Sequence, residues 1–169
     1  MLARRVSADH SLDPDRLGDH LDRLYRAAWA LCGSREDAED LVQETYARVL
    51  RRPRLVRNED DLGYLLRVLR NTFLTGRRTA SRRPRTTPMP DEPPFAEPRP
   101  MAQPDAATET RELFAKIAGL PDDFRDVLVA VDILGLSYAE AGKALKVREA
   151  TVTSRLFRAR SRVADALQA

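Results

Sequence analysis

The stretch LSYAEAGKALKVREATVTSRLFRAR, residues 136–160, decides the architecture. Ser137 with Glu140 three positions on forms a capping box, and Ala141, Ala144 and Leu145 continue a short apolar stripe behind it. A turn at Lys146-Val147-Arg148 leads into a longer helix with Val152, Leu156, Val163 and Leu167 inward. Short helix, tight turn, long basic helix is the helix-turn-helix pattern. The outward face carries Thr151, Thr153, Ser154, Arg155, Arg158 and Arg162. Hydroxyls and guanidinium forks of this kind suit phosphates and guanine edges in a major groove. Taken alone the pattern is moderately specific, because a helical hairpin with no DNA role can share it.

Upstream, eight of the 11 prolines fall between Pro84 and Pro104. A stretch so rich in Pro, Thr, Asp and Glu buries little apolar surface and reads as a flexible linker. At ~3.1 Å per residue it reaches at most about 75 Å, roughly two turns of B-DNA. The chain thus divides into an N-terminal tail (1–11), an N-terminal unit (12–83), a linker (84–105) and a C-terminal unit (106–169). In the N-terminal unit Asp13-Pro14 is a helix start, and Leu17, Leu21, Leu24, Ala28 and Leu31 recur at helical spacing up to Gly33. Ser34 and Asp37 open a second helix with Ala38, Leu41, Val42, Thr45, Val49 and Leu50 on one stripe. After a loop from Pro53 to Asp61, a third carries Leu62, Leu65, Leu66, Val68, Leu69, Phe73 and Leu74 before Gly76. Stripes this narrow must pack on one another as a bundle. Beyond the linker, Leu113, Phe114 and Ile117 mark a helix, and Phe124, Val127, Leu128, Val131 and Leu134 another. The expected class is all-α: two small helical domains, an N-terminal bundle and a C-terminal helix-turn-helix, on a Pro-rich linker.

Composition narrows the function. Of 169 residues 33% are charged and 6% aromatic, which favours a Leu, Val and Ala core in helices over a β-sandwich. Two histidines and the single Cys32 exclude a structural zinc site and an internal disulfide. No apolar run approaches the ~20 residues of a membrane span, so a cytoplasmic protein without membrane insertion is expected. Net charge is +3, yet Leu62–Pro90 holds seven arginines and no acid, and Gly142–Val163 seven cations against Glu149 alone. The rest of the chain is therefore strongly acidic. Two separated basic blocks point to a polyanion gripped at two places. A nuclease built on Glu59, Asp60 and Asp61 lacks supporting residues at suitable spacing, and Glu36, Asp40 and Glu44 on one exposed helix face do not converge on a metal. No catalytic residue, metal or cofactor is expected.

Three stretches now carry a resemblance: REDAEDLVQETY (35–46); GYLLRVLRN (63–71); and LPDDFRDVL (120–128) with LSYAE (136–140) and TVTSRLFRAR (151–160). Together they resemble the extracytoplasmic-function (ECF) group of bacterial sigma factors, in the family's order and across both units. The resemblance implies a transcription initiation factor that binds core RNA polymerase, through the β′ clamp helices and the β subunit, and reads promoter DNA. It implies docking by Asp40, Gln43, Glu44 and Arg48. It implies −10 reading by the Pro53–Asp61 loop and the next helix, through Asn58, Tyr64, Arg67, Arg70 and Asn71, with Arg77, Arg78, Arg82 and Arg83 on phosphates. It implies −35 reading by Lys146, Thr151, Thr153, Ser154, Arg155, Phe157 and Arg158, and control by an anti-sigma factor. Tyr64 fits a core-edge aromatic as well as a stacking platform, and Phe157 fits packing as well as DNA contact. Tyr64 stands where the family commonly has Trp, Thr75 where it has an acid or amide, and Lys146 where glycine is usual. The alternative class is a stand-alone helix-turn-helix regulator, which leaves the acidic second helix without a role.

Overall fold

The computed structural model describes residues 9–12, 17–51, 55–57, 61–82 and 104–169. In the N-terminal unit a short strand β1 (Asp9–Ser11) and a 3-10 turn (Gly18–His20) lead into α1 (Leu21–Cys32), α2 (Arg35–Arg51), a strand β2 (Leu55–Arg57) and α3 (Asp61–Arg82). The C-terminal unit comprises α4 (Pro104–Ala118), α5 (Asp122–Leu128) continuing as a π turn (Val129–Ile133), α6 (Tyr138–Leu145) and α7 (Glu149–Gln168). The expected helical class therefore holds, apart from one antiparallel ladder of β1 on β2.

Local chemistry explains the boundaries. Gly33 ends α1 in the left-handed region at φ 76°, where its N–H reaches the Trp29 carbonyl. The Ser34 hydroxyl accepts from the Asp37 N–H at the start of α2. In the C-terminal unit both arms of the Ser137–Glu140 capping box are made. The helix-turn-helix turn places Lys146 at φ 58°, a conformation that costs a side chain on the order of 1 kcal/mol and glycine nothing. Gly142 is fixed by close approach: a Cβ there would stand 2.9 Å from the Val147 carbonyl oxygen.

Four local expectations are revised. Leu21, Leu50 and Leu167, assigned inward, are exposed, because each lies at a helix end past its packing partner. The third helix does not stop near Gly76 but runs on to Arg82. Thr75, Thr79 and Ser81 bond back to carbonyls of the preceding turn, and an exposed helical glycine costs only about 1 kcal/mol. The Asp13-Pro14 start, Asn58 and most of the linker lie outside the described residues.

Within the N-terminal unit α2 packs on α1 and α3, burying Leu24, Leu65, Leu66 and Leu69 almost completely. In the C-terminal unit α5 and α6 pack on α7 around Val127, Val152 and Leu156. The two units also pack on each other: α1 meets α4 and the π turn, and α3 meets α6. Trp29 of α1 and Phe114 of α4 stack with centroids 4.4 Å apart and planes 2° off parallel. Such a pair contributes about 0.5–1.5 kcal/mol beyond its buried area.

Candidate nucleic-acid interface

The helix α7 presents Thr153, Ser154, Phe157 and Arg158 to solvent, while Val152, Leu156, Ala159 and Val163 on the opposite side enter the core. Phe157 is 73% exposed, so the packing alternative for it falls and a large apolar contact stands ready on this face. Thr153 and Ser154 donate to the carbonyls of Glu149 and Thr151. Their hydroxyl lone pairs remain open, and rotation would turn either proton toward a phosphate. Lys146 is exposed at the turn and Thr151 half-buried. Arg155 points elsewhere: its Nη2 lies 2.8 Å from Asp123 Oδ2 on α5. Arg160 is clamped by Asp132 through two hydrogen bonds, which hold its guanidinium protonated more firmly than usual and pin α7 to the π turn.

The residues expected to read single-stranded DNA divide into two stripes on α3. At 3.6 residues per turn, Tyr64, Arg67, Asn71 and Arg78 share one stripe, and Arg70, Phe73 and Arg77 lie about a quarter-turn or more round the helix. On the first stripe Arg67 sits 6.0 Å above the Tyr64 ring, and Asn71 and Arg78 are exposed. The second stripe faces the C-terminal unit. Arg70 Nε donates to Asp126 Oδ2 at 2.5 Å, and Arg77 Nη1 to Asp122 Oδ1 at 3.1 Å. Arg125, 3% exposed, donates to the same Asp122 oxygen at 2.8 Å. Phe73 is held between guanidiniums, Arg125 at 5.1 Å and Arg77 at 5.6 Å from the ring centre.

The electrostatics of this seam follow burial. Partial burial opposes ionisation of Asp122, but Arg125 and Arg77 outweigh it and hold the carboxyl below its ordinary range. For Asp126 burial wins over Arg70 and Arg125, and the carboxyl lies above its ordinary range. Next to the seam a crevice of about 760 Å³ is lined by Leu31, Cys32, Asp40, Phe73, Arg77 and Leu120. Burial pushes the Cys32 thiol up to about 12, helped by Asp37.

The four residues expected to dock on the polymerase, Asp40, Gln43, Glu44 and Arg48, are all exposed on α2. Arg48 Nε donates to Glu44 Oε1 at 2.8 Å, and that hydrogen bond lowers the Glu44 carboxyl. Asp40 borders the crevice, whereas Gln43 and Glu44 lie a turn further along. Sequence reasoning missed the seam itself: Trp29, Phe114, Phe73, Asp122 and Asp126. Among the described residues no three His, Cys, Asp or Glu side chains are grouped to hold a metal, and no helix is long and apolar enough to cross a membrane.

Residues 17–83 match the family Sigma-70 region 2, and residues 110–163 match Sigma-70, region 4. The chain is 39% identical over 151 residues to the ECF RNA polymerase sigma factor SigE of Mycolicibacterium smegmatis, covering 88% of this chain and 58% of that one. It is 32% identical over 168 residues to the ECF RNA polymerase sigma factor SigM of Mycobacterium tuberculosis, covering 99% and 83%. The chain thus spans little more than half of the first relative and most of the second. In fold it is similar to the sigma factor RpoE of Bartonella quintana, solved with the anti-sigma factor NepR, at TM-score 0.68 and 23% identity over 91% of this chain and 95% of that one. It is also similar to CnrH, solved with the cytosolic domain of CnrY, at TM-score 0.62 and 21% identity over 91% and 86%.

Proposed function

This chain belongs to the ECF group of RNA polymerase sigma factors, and from that premise we propose that it is a cytoplasmic, non-catalytic specificity subunit that binds core RNA polymerase and directs it to promoters by their −10 and −35 elements. The observation that carries this reading is a pair of cationic, hydrogen-bonding helix faces, one in each unit: on α3 Asn71 and Arg78 are exposed beside half-buried Tyr64 and Arg67, and on α7 Thr153, Ser154 and Arg158 are exposed. One face suits unstacked bases and their backbone, the other a duplex groove.

In this reading residues 12–83 dock on the polymerase and read the −10 element, 84–105 span the interval, and 106–169 read the −35 element. Asp40, Gln43, Glu44 and Arg48 meet the β′ clamp helices. Tyr64, Arg67, Asn71 and Arg78 meet single-stranded −10 DNA, with Asn58 assigned by family position. Lys146, Thr153, Ser154, Phe157 and Arg158 meet the −35 duplex, and Arg155 joins them by exchanging Asp123 for DNA. Arg70 and Arg77 reach DNA only when the two units part, because Asp126 and Asp122 hold them in the seam. An anti-sigma factor that favours the closed arrangement would silence the protein; one similar fold was solved with an anti-sigma factor.

The test is capture of core polymerase by the purified chain, followed by transcription of a genomic fragment library. Stable capture with initiation from a subset of fragments is expected. Tight duplex binding without capture of core would replace this function with that of a stand-alone regulator.

A further inference from the structure

We infer that residues 9–12 and 17–20 form a strap that positions the connection between α2 and α3 for −10 reading; this rests on the function proposed above. The strap touches that connection at its centre and at both flanks. At the centre, β1 runs antiparallel to β2, pairing Asp9 with Arg57, His10 with Val56 and Ser11 with Leu55. On the upstream flank, the Tyr46 hydroxyl of α2 donates to the Leu17 carbonyl at 2.9 Å, and burial raises that phenol. On the downstream flank, His20 Nε2 lies 3.9 Å from Oδ2 of Asp61, the first residue of α3, with both side chains largely buried. Leu12 and Leu17 are themselves buried in the core, which anchors the strap between its contacts.

The ladder has only these two strands, so among the described residues β2 owes its pairing to β1. An unpaired three-residue segment would leave its peptide groups to water and sample many conformations. A segment that must receive unstacked bases works best when it is ordered beforehand, since ordering during capture subtracts from binding. The strap therefore acts as a positioning element, through backbone pairing rather than through the side chains of β1.

Neighbouring strand residues point their N–H groups to opposite sides, so the double variant His10→Pro with Ser11→Pro removes one ladder donor whichever edge faces β2. The pair His10→Ala with Ser11→Ala keeps the backbone and serves as its control, and deletion of residues 1–11 is the second test. Permanganate reactivity of −10 thymines, with core polymerase and a promoter selected from the library, reads duplex opening. The proline variant and the deletion are expected to slow opening about tenfold, equivalent to about 1.4 kcal/mol, with the alanine pair at wild-type rate. Core capture and −35 duplex affinity should stay unchanged in all three. Unchanged opening in both the proline variant and the deletion would overturn the inference, as would parallel loss of core capture and −35 binding, which marks a merely structural role. A wild-type chain that captures core without opening the −10 duplex would instead overturn the function on which the strap rests, and the strap with it.

Discussion

The two basic helices, α3 and α7, carry similar side chains and are presented in opposite ways. The outward face of α7 is open: Thr153, Ser154, Phe157 and Arg158 are exposed. On α3 the cations are divided, with Arg67 and Arg78 on an outer stripe and Arg70 and Arg77 bound to carboxylates of the other unit. Charge counted along the sequence treats the two blocks as equal, seven cations each. In the closed molecule they differ, and the lesson is that cations measure DNA affinity only once their intramolecular partners are known. In the proposed function, duplex reading is available at once and single-strand reading is partly held back.

The largest effect should come from α7, where Arg158 is open and Arg155 must first leave Asp123. Arg155→Ala with Arg158→Ala should weaken −35 duplex binding at least about thirtyfold, at ~1–3 kcal/mol for each bidentate contact, with core capture intact. Fluorescence anisotropy on a labelled −35 duplex measures it. Gln43→Ala with Glu44→Ala should do the reverse, lowering affinity for core on the order of tenfold and sparing DNA. Unchanged polymerase binding in a titration would remove α2 from the docking role.

Next comes the seam. Asp126→Asn keeps the shape but removes the charge that faces Arg70, and should shift the molecule toward open forms. Trp29 is the only tryptophan in the chain and stacks on Phe114 of the other unit. Its emission should therefore move to longer wavelength in the variant, and binding of single-stranded −10 DNA should rise a few-fold. Cys32 supplies a chemical readout of the same event. With its thiol pushed up to about 12, almost no thiolate exists at pH 8 in the closed chain, and thiolate is the reactive form. Labelling of the native chain should be at least about tenfold slower than that of the urea-unfolded chain, with Asp126→Asn in between. The smallest effect is at the turn: Lys146→Gly should raise stability by about 1 kcal/mol by relieving the left-handed lysine, visible as a higher urea midpoint.

The helices were legible because their signals are local. Gly33, the Ser34–Asp37 and Ser137–Glu140 caps and the periodic leucines each act within a few residues, and the structure uses them, with Leu21, Leu50 and Leu167 as exceptions. The outer faces of α2 and α7 were legible for the same reason, as what remains when the apolar stripe turns inward. The seam was not, because Arg70 and Asp126 lie 56 positions apart and nothing in either helix announces the other. Phe114 reads only as a stripe residue of its own helix, and nothing in the sequence pairs it with Trp29. The pairing of β1 with β2 was equally hidden, since three-residue strands carry no usable period. The run of α3 past Gly76 was missed because a glycine at an exposed helical site is a weak stop.

The most direct test compares one labelled −10 single strand with one labelled −35 duplex, each titrated with the free chain, with Asp126→Asn, and with the chain bound to core polymerase. The free chain should bind the duplex but the single strand only weakly, and both the variant and the polymerase-bound chain should gain single-strand affinity. Equal single-strand affinity in all three states would contradict the masking of α3 by the closed seam.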